Sequence, residues 1–377
     1  MRHTAVAILA LFLLPTVARG QQPFYSHDNY TQYELLGPAS HQFAITYYVT
    51  ERRAGAMYLL NQTRSGSEGS GVSVFDPQTG KPLKFDYMTG AELTAAGMTG
   101  RFDPGEHYIR AHLPRPVPEG GEGRVKILKT YKDEKSYYVE GDDIVFKRSL
   151  GIARNSIVLP KGFRLVSSNV ASQMFTLPDG RLKISFEHAH GYAADVTIRA
   201  RAFDRSASRA AAPIPLERAF DFSKALYDVQ FEPTQIIVTR EYIETTPGSQ
   251  VRLERPMGIG DDFAVDDVDS GKPLEVSRKG QQAIARLMTP IAAPDSSARL
   301  RITGRMRGVN IDTLGGYSAF DLTINAARAV VVLPSGWDLA SVSVPATVST
   351  QQDRRVAIQI YNASAGALTV TVRAAKR

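Results

Sequence analysis

The sequence predicts an all-β protein: two tandem antiparallel β-sandwich domains made by internal duplication, the first carrying a short helical insertion. Three observations carry this reading: a long self-match, a set of short alternating apolar segments, and the turn chemistry between them. The self-match is plain in "IVLPKGFRLVSSN" (157–169), which returns 174 positions later as "VVLPSGWDLASVS" (331–343). Arg154–Arg201 aligns on Arg328–Ala375 without a gap, with 18 identities in 48 positions, among them Leu159/Leu333, Pro160/Pro334 and Gly162/Gly336. Upstream, "DPQTGKPL" (76–83) matches "DVDSGKPL" (267–274) at an offset of 191. Two matching blocks in the same order mark a repeated domain rather than a repeated motif.

Within the unit, "FAITYYVT", "VSVF", "HYIRAHL", "RVKILKTY", "DIVFKRSL", "NSIVL", "FRLVSS", "QMFTL", "RLKISFEH" and "DVTIRARA" are short and rich in β-branched or aromatic residues. Many alternate apolar with polar, the period of a half-buried strand. The stretches "DPQTGKP", "PEGGEG", "PKG" and "PDG" supply the Pro, Gly and Asp that turns need. Strands so spaced predict a sandwich. The change of offset from 191 to 174 places 17 extra residues of the first copy between Leu83 and Leu113. Inside them "GAELTAAGM" predicts a short helix at 90–97. The Gly- and Ser-rich "RSGSEGSG" (64–71) reads as a loop, "DRSASRAAAPIP" (204–215) as a linker, and "LERAFDFSKAL" (216–226) as a short helix. Trp337, aligned with Phe163, is expected in a core. The predicted organisation is 1–20 signal peptide, 21–203 first repeat, 204–216 linker and 217–377 second repeat.

The signal peptide is read from Arg2 and His3, an apolar run from Ala5 to Leu14, and Ala18 and Gly20 at the spacing a signal peptidase uses. That run is too short to span a bilayer. The expectation is therefore an exported protein, periplasmic or extracellular, with no transmembrane segment after cleavage. No cysteine is present, which excludes disulfides, thiolate nucleophiles and cysteine-ligated metals. The formal net charge of +7 is spread over mixed-sign segments and forms no basic cluster for nucleic acid.

The motif search finds no His-Glu-x-x-His, no Gly-x-Ser-x-Gly, no phosphate-binding glycine loop and no dinucleotide fingerprint. No cofactor is expected. The weak metal candidates are His188 and His190 in "FEHAHGY", an i, i+2 pair that a strand would turn to one side, with Glu187, His107 or His112 as a possible third ligand. The second copy holds Asn362 and Ser364 at those places, which reads as a solvent-facing strand end. In "DDFAVDDVDSG" (261–271) the carboxylates miss calcium-loop spacing. Asp76 and its partner Asp267 are expected to bond their own turns.

Aromatics gather in "YKDEKSYY" (131–138) of the first copy only. Tyr131, Tyr137 and Tyr138 beside Lys132 and Lys135 are the candidate binding residues, a platform for sugar rings or a protein groove. The surrounding block, "TYKDEKSYYVEGDDIVFKRSLGIARNSIVLPKGFRLVSSNVASQ", resembles an uncharacterised family of exported bacterial tandem β-domain proteins. The strand-turn texture is also similar to the non-catalytic N-terminal β-domain of aminopeptidase N-type metallopeptidases, and the resemblance implies a β-domain that supports or presents something else. No zinc signature is present to carry over peptidase activity. The expected function is a non-catalytic exported binding or scaffold protein of the cell envelope, contacting an envelope protein or a polysaccharide mainly through repeat 1. The rival expectation is a metal-dependent hydrolase or oxidase built on His188 and His190.

Overall fold

The computed structural model describes residues 29–376 apart from 65–67, 99, 189–192, 203–224, 233–234, 254–258, 260–261, 280–281, 293–295, 307–310, 315–316, 327, 352 and 363–365. The expected signal peptide and linker, most of the helix expected at 216–226, and His190 lie outside the described residues.

The first half contains strands β1 (Tyr30–Leu35), β2 (Gln42–Glu51), β3 (Tyr58–Gln62), β4 (Glu68–Phe75), β5 (Phe85–Thr89), helix α1 (Gly90–Ala95), β6 (His107–His112) and β7 (Gly123–Lys132). It continues with β8 (Tyr137–Glu140), β9 (Asp143–Leu150), β10 (Arg154–Val158), β11 (Phe163–Ser168), β12 (Gln173–Thr176), β13 (Leu182–Glu187) and β14 (Ala194–Ala202). A long sheet runs β12-β13-β10-β1-β2-β7-β4, and two small sheets, β3-β6-β5 and β11-β14-β9-β8, cover one of its faces side by side.

The second half repeats this plan. Its strands are β15 (Ala225–Glu232), β16 (Gln235–Glu244), β17 (Gly248–Arg252), β18 (Ala264–Asp267), β19 (Lys272–Pro273), β20 (Glu275–Lys279), β21 (Gln282–Ile291) and β22 (Ala298–Arg305). They are followed by β23 (Asp312–Leu314), β24 (Tyr317–Ile324), β25 (Arg328–Val332), β26 (Trp337–Val342), β27 (Ala346–Thr350), β28 (Val356–Tyr361) and β29 (Leu368–Lys376). The long sheet runs β27-β28-β25-β15-β16-β22-β18-β19, the small ones β17-β21-β20 and β23-β24-β29-β26. Apart from the added two-residue β19, this is the order of the first half. No strand of one half pairs with a strand of the other among the described residues. Among the described residues all pairings are antiparallel except β1 with β10 and β15 with β25, one parallel join in each long sheet.

Alternation explains the layers. In β7, Val125 and Ile127 point inward and are fully buried, and β22 does the same with Leu300 and Ile302. The long sheets then turn their other faces toward each other. On β10 and β13 the outward Ser156, Val158 and Ser185 have no exposure at all, and a hydroxyl row runs Tyr30–Ser156–Ser185 at 2.7 and 2.8 Å. On β25 and β28 the outward Val330, Val332 and Ala357 form a cluster of their own, separate from the main core. Arg328 of β25 reaches Glu187 of β13 at 3.1 Å. The molecule is therefore four layers deep at its centre, with small side chains where the two long sheets meet.

Three expectations change in detail. From Glu68 onward the Gly- and Ser-rich stretch is β4, paired with β7 across a register shift between Ser70 and Ser73, because a neighbouring strand can take its backbone groups whatever its side chains. Trp337 is half-buried and packs on the rim of the core, since it opens β26 where the small sheet ends. The helix forms as α1, closed by a capping box between Thr89 and Glu92.

Candidate functional site

The best-built polar cluster joins the two halves. Glu122, in the turn before β7, accepts from Arg52 Nε at 2.6 Å and from Arg299 of β22. Arg299 also donates to Glu241 of β16 at 3.0 Å, and Arg301 donates to Glu241 at 2.6 Å. Beside this ladder Arg124 makes a two-pronged bond to Asp269 at 2.5 and 2.7 Å. The Ser297 amide donates to the Pro77 carbonyl at 2.9 Å. The backbones come so close that a Cβ on Gly271, at φ +66, would sit 2.6 Å from the Gly121 nitrogen and 2.7 Å from the Gly120 carbonyl carbon, so glycine is required there. Above the ladder, Leu113–Val117 wall a cleft of about 30 Å³ with Asp76, Glu122, Arg124 and Asp269. That is room for a water rather than an organic substrate.

The turn aspartates behave as expected. Asp76 accepts from the Gln78 amide at 2.9 Å and the Thr79 hydroxyl at 2.7 Å; Asp267 accepts from the Ser270 amide at 2.7 Å.

The predicted tyrosine platform is divided between core and surface. Tyr131 is 2% exposed and Tyr137 not at all, so neither ring is available as a surface platform. Tyr131 falls on the inward phase of β7, and Tyr137 opens β8 with its hydroxyl on the Leu36 carbonyl at 2.8 Å. Burial pushes both phenols above their usual range. Lys132 and Lys135 are exposed and Tyr138 is half-buried. The turn between the strands is held by Asp133, which accepts from the Lys135 and Ser136 amides and from Arg148 at 3.0 Å.

Around Tyr131 lies a feature that the motif search missed. Lys129, two residues earlier on the same inward phase, is 6% exposed and stands 4.9 Å from the Tyr131 ring centre. Arg148 of β9, also 6% exposed, stands 5.6 Å from that ring and 5.2 Å from Phe43. Lys129 Nζ donates to Asn61 Oδ1 at 2.6 Å. Desolvation first, and Arg148 second, pull the Lys129 amine down to about 8. The available signal was a lysine on the inward phase of "VKILKTY", together with Arg148 aligned on Leu322 of the second copy.

Among the described residues the candidate histidines do not converge. His188 is half-buried, with Nε2 2.8 Å from the Ile152 carbonyl, and its counterpart Asn362 is 1% exposed, donating to the Ile324 carbonyl at 3.1 Å. His188 clips the end of β13 to the loop before β10, and Asn362 clips the end of β28 to the last residue of β24, which corrects the reading of a solvent-facing end. Glu187 is engaged by Arg328. His107 and His112 belong to β6, where His112 meets Asp86 at 3.1 Å. Among the described residues no three His, Asp or Glu gather as a metal-ligand set, and no helix is long and apolar enough to cross a membrane.

The insertion forms an ordered cap at one end of repeat 1. Where only two residues separate β20 from β21, with Lys279 opposite Gln282, β5 and β6 are separated by α1 and the loop behind it. Leu93 is fully buried. Gly90 lies so close to the Asp103 carbonyl that a Cβ would overlap it at 1.8 Å. Phe102 and Tyr108 meet edge to face at 5.6 Å. Tyr87 on the adjoining strand is 62% exposed.

No family model matches the chain, and neither does a curated protein. Among solved structures it is similar to an aminopeptidase N family protein from Idiomarina loihiensis, with 8% identity over 46% of this chain and a TM-score of 0.29. The chain spans 29% of that protein's length, a likeness too faint to support any inference.

Proposed function

We propose that the chain is a non-catalytic binding scaffold of the cell envelope that contacts a protein partner or an extracellular polymer mainly through repeat 1. The observation that carries this reading is the built insertion at β5–β6. Ordering residues costs conformational entropy, and here the cost is met by a capping box, a fully buried Leu93 and a glycine packed on backbone. The second repeat closes the same hairpin in two residues, so the sandwich itself does not require the elaboration. The ionic ladder ties the two halves to each other.

The test is cross-linking capture from an envelope fraction by the tagged full-length chain. Comparison chains carry Tyr87→Ala, a triple Lys132→Ala/Lys135→Ala/Tyr138→Ala change, or a β5–β6 connection shortened to the length of the β20–β21 turn. A partner held by the parent and released by shortening is the expected result. Equal capture by all four chains would remove repeat 1 as the contact surface.

A further inference from the structure

The interior of repeat 1 contains two cations that the second repeat does without. The long-sheet pairings align Lys129 with Gly304: Ile127 faces Val74 as Ile302 faces Val265, and Lys129 faces Ile45 as Gly304 faces Val238. A Cβ on Gly304 would meet Ile259 Cγ2 at 2.4 Å and Phe263 Cβ at 3.2 Å, so apolar side chains fill the place that Lys129 takes. Arg148 likewise aligns with Leu322, which is 1% exposed. The fold therefore has an apolar solution to this part of its core. Keeping an ammonium and a guanidinium in its place is costly unless they are matched by negative charge.

The match inside the protein is incomplete. Asp133 faces Arg148, and its oxygens are shared with Ser136 and the Lys135 amide. Lys129 has three donors, of which Asn61 Oδ1 takes one, and no carboxylate forms an ion pair with it among the described residues. The walls are tyrosines: Tyr131 at 4.9 Å, Tyr47 at 6.0 Å from Nζ, and Tyr33, which lies beside Arg148. The group sits where the two small sheets meet above β7, between the cores that each of them covers. The surface is near. Asn61 and Thr63 are half-buried, and Arg64 is exposed, its amide donating to the Tyr131 hydroxyl at 3.4 Å and its Nη1 to the Ser149 carbonyl of β9 at 3.1 Å.

We propose that this seam is a ligand site for a carboxylate, with Lys129 as its charge partner, Arg148 and the tyrosine hydroxyls as further donors, and the Arg64 side chain as a clasp across the opening. Excess donors and positive charge between aromatic walls select an oxyanion attached to an apolar or ring-shaped body. The site is independent of the contact surface proposed above, because it lies beneath the seam and involves neither α1 nor Tyr87.

The experiment is an NMR titration of the full-length protein carrying 13C-labelled lysine, in a buffer free of carboxylate and phosphate. Sodium acetate, sodium benzoate and inorganic phosphate are added in separate arms. The Lys129 ε-methylene signal, assigned by its loss in Lys129→Met, is expected to shift saturably with benzoate and more weakly with acetate, and its titration midpoint to rise by about one pH unit, a tenfold change in proton affinity. Arg64→Gln is expected to weaken binding roughly tenfold, as losing one charge-assisted bond does, while leaving the Lys129 signal in place. Lys129→Met removes a buried charge and keeps the chain length, so it should remain folded. If neither carboxylate moves the signal, or if both act equally on Lys129→Met as read from neighbouring methyl groups, the site is refuted. A shift with phosphate alone would overturn the carboxylate assignment.

Discussion

Removing Arg299 tests whether the ionic ladder couples the two repeats. Its guanidinium is 2% exposed and bridges Glu122 of one half to Glu241 of the other. Arg299→Met keeps much of the volume and deletes both bonds. Each charge-assisted bond is worth about 1.5–3 kcal/mol, but neither carboxylate is stranded, because Glu122 keeps Arg52 and Glu241 keeps Arg301. The expected loss is thus about 3 kcal/mol, the low end for breaking a buried ion pair. The assay is urea unfolding followed by far-UV circular dichroism and by the fluorescence of Trp337, the chain's single tryptophan, which lies in the second half. The parent should show coincident transitions. In the variant the Trp337 signal should separate from the circular dichroism signal as the halves uncouple. Burial also shields the ladder from salt, so the loss should persist at about 1 M sodium chloride. A change below about 0.5 kcal/mol, or one that salt abolishes, would refute the idea that this ladder holds the repeats together.

Other outcomes follow from single sites. Lys129 has a folded-state value near 8, below its unfolded value of about 10.5; its destabilising effect is therefore complete below pH 8 and fades as pH rises toward 10.5. Lys129→Met should gain about 3 kcal/mol more at pH 7 than at pH 10.5 in paired urea melts, and a pH-independent difference would contradict the buried charge. Gly304→Ala drives a methyl into Ile259 and should cost about 1–3 kcal/mol by overpacking, measured as a lower urea midpoint; an unchanged midpoint would show that Ile259 moves freely. Leu93→Ala empties a fully buried position under α1 and should cost roughly 2 kcal/mol or more, seen as faster hydrogen exchange at 90–96 while β2 and β7 stay protected.

The fold was legible because its signals are local. Alternation in "RVKILKTY" and "RLKISFEH" states which face of each strand is apolar, and the self-match at an offset of 174 states that the plan occurs twice. Of the strands that escaped reading, β1, β3 and β5 gain partners across longer stretches of chain, as when β1 lies beside β10 in the parallel join, while β8 is a four-residue edge strand that pairs only with the neighbouring β9. The placement of the candidate binding residues was less legible for a related reason. "YKDEKSYY" reads as a polar aromatic loop, yet its first residues end β7 and its last residues start β8, so Tyr131 and Tyr137 follow the phase of strands and go inside. Composition marks a segment as polar; phase decides which of its side chains reaches water. Glu122, Glu241 and Arg299 lie far apart in sequence and carry no local sign that they meet.

The contact between the long sheets shows how a duplicated domain stops being symmetric. Two identical sheets packed through one face would form a self-complementary contact, each pair occurring twice. Positions matched at the 174-residue offset still face the same boundary: Val158 with Val332, Arg154 with Arg328, Ser156 with Val330, Ser185 with Gln359. Yet Glu187 matches Tyr361, so Arg328 finds a carboxylate across the boundary where the second half carries a phenol at the matching position. Hydroxyls line one face where valines line the other. Such differences bind the first half to the second more specifically than either could bind a copy of itself. Once the boundary is specific, the interior of one half can depart from the other, as it does at Lys129 and Arg148, because the shared face no longer requires the two halves to be interchangeable.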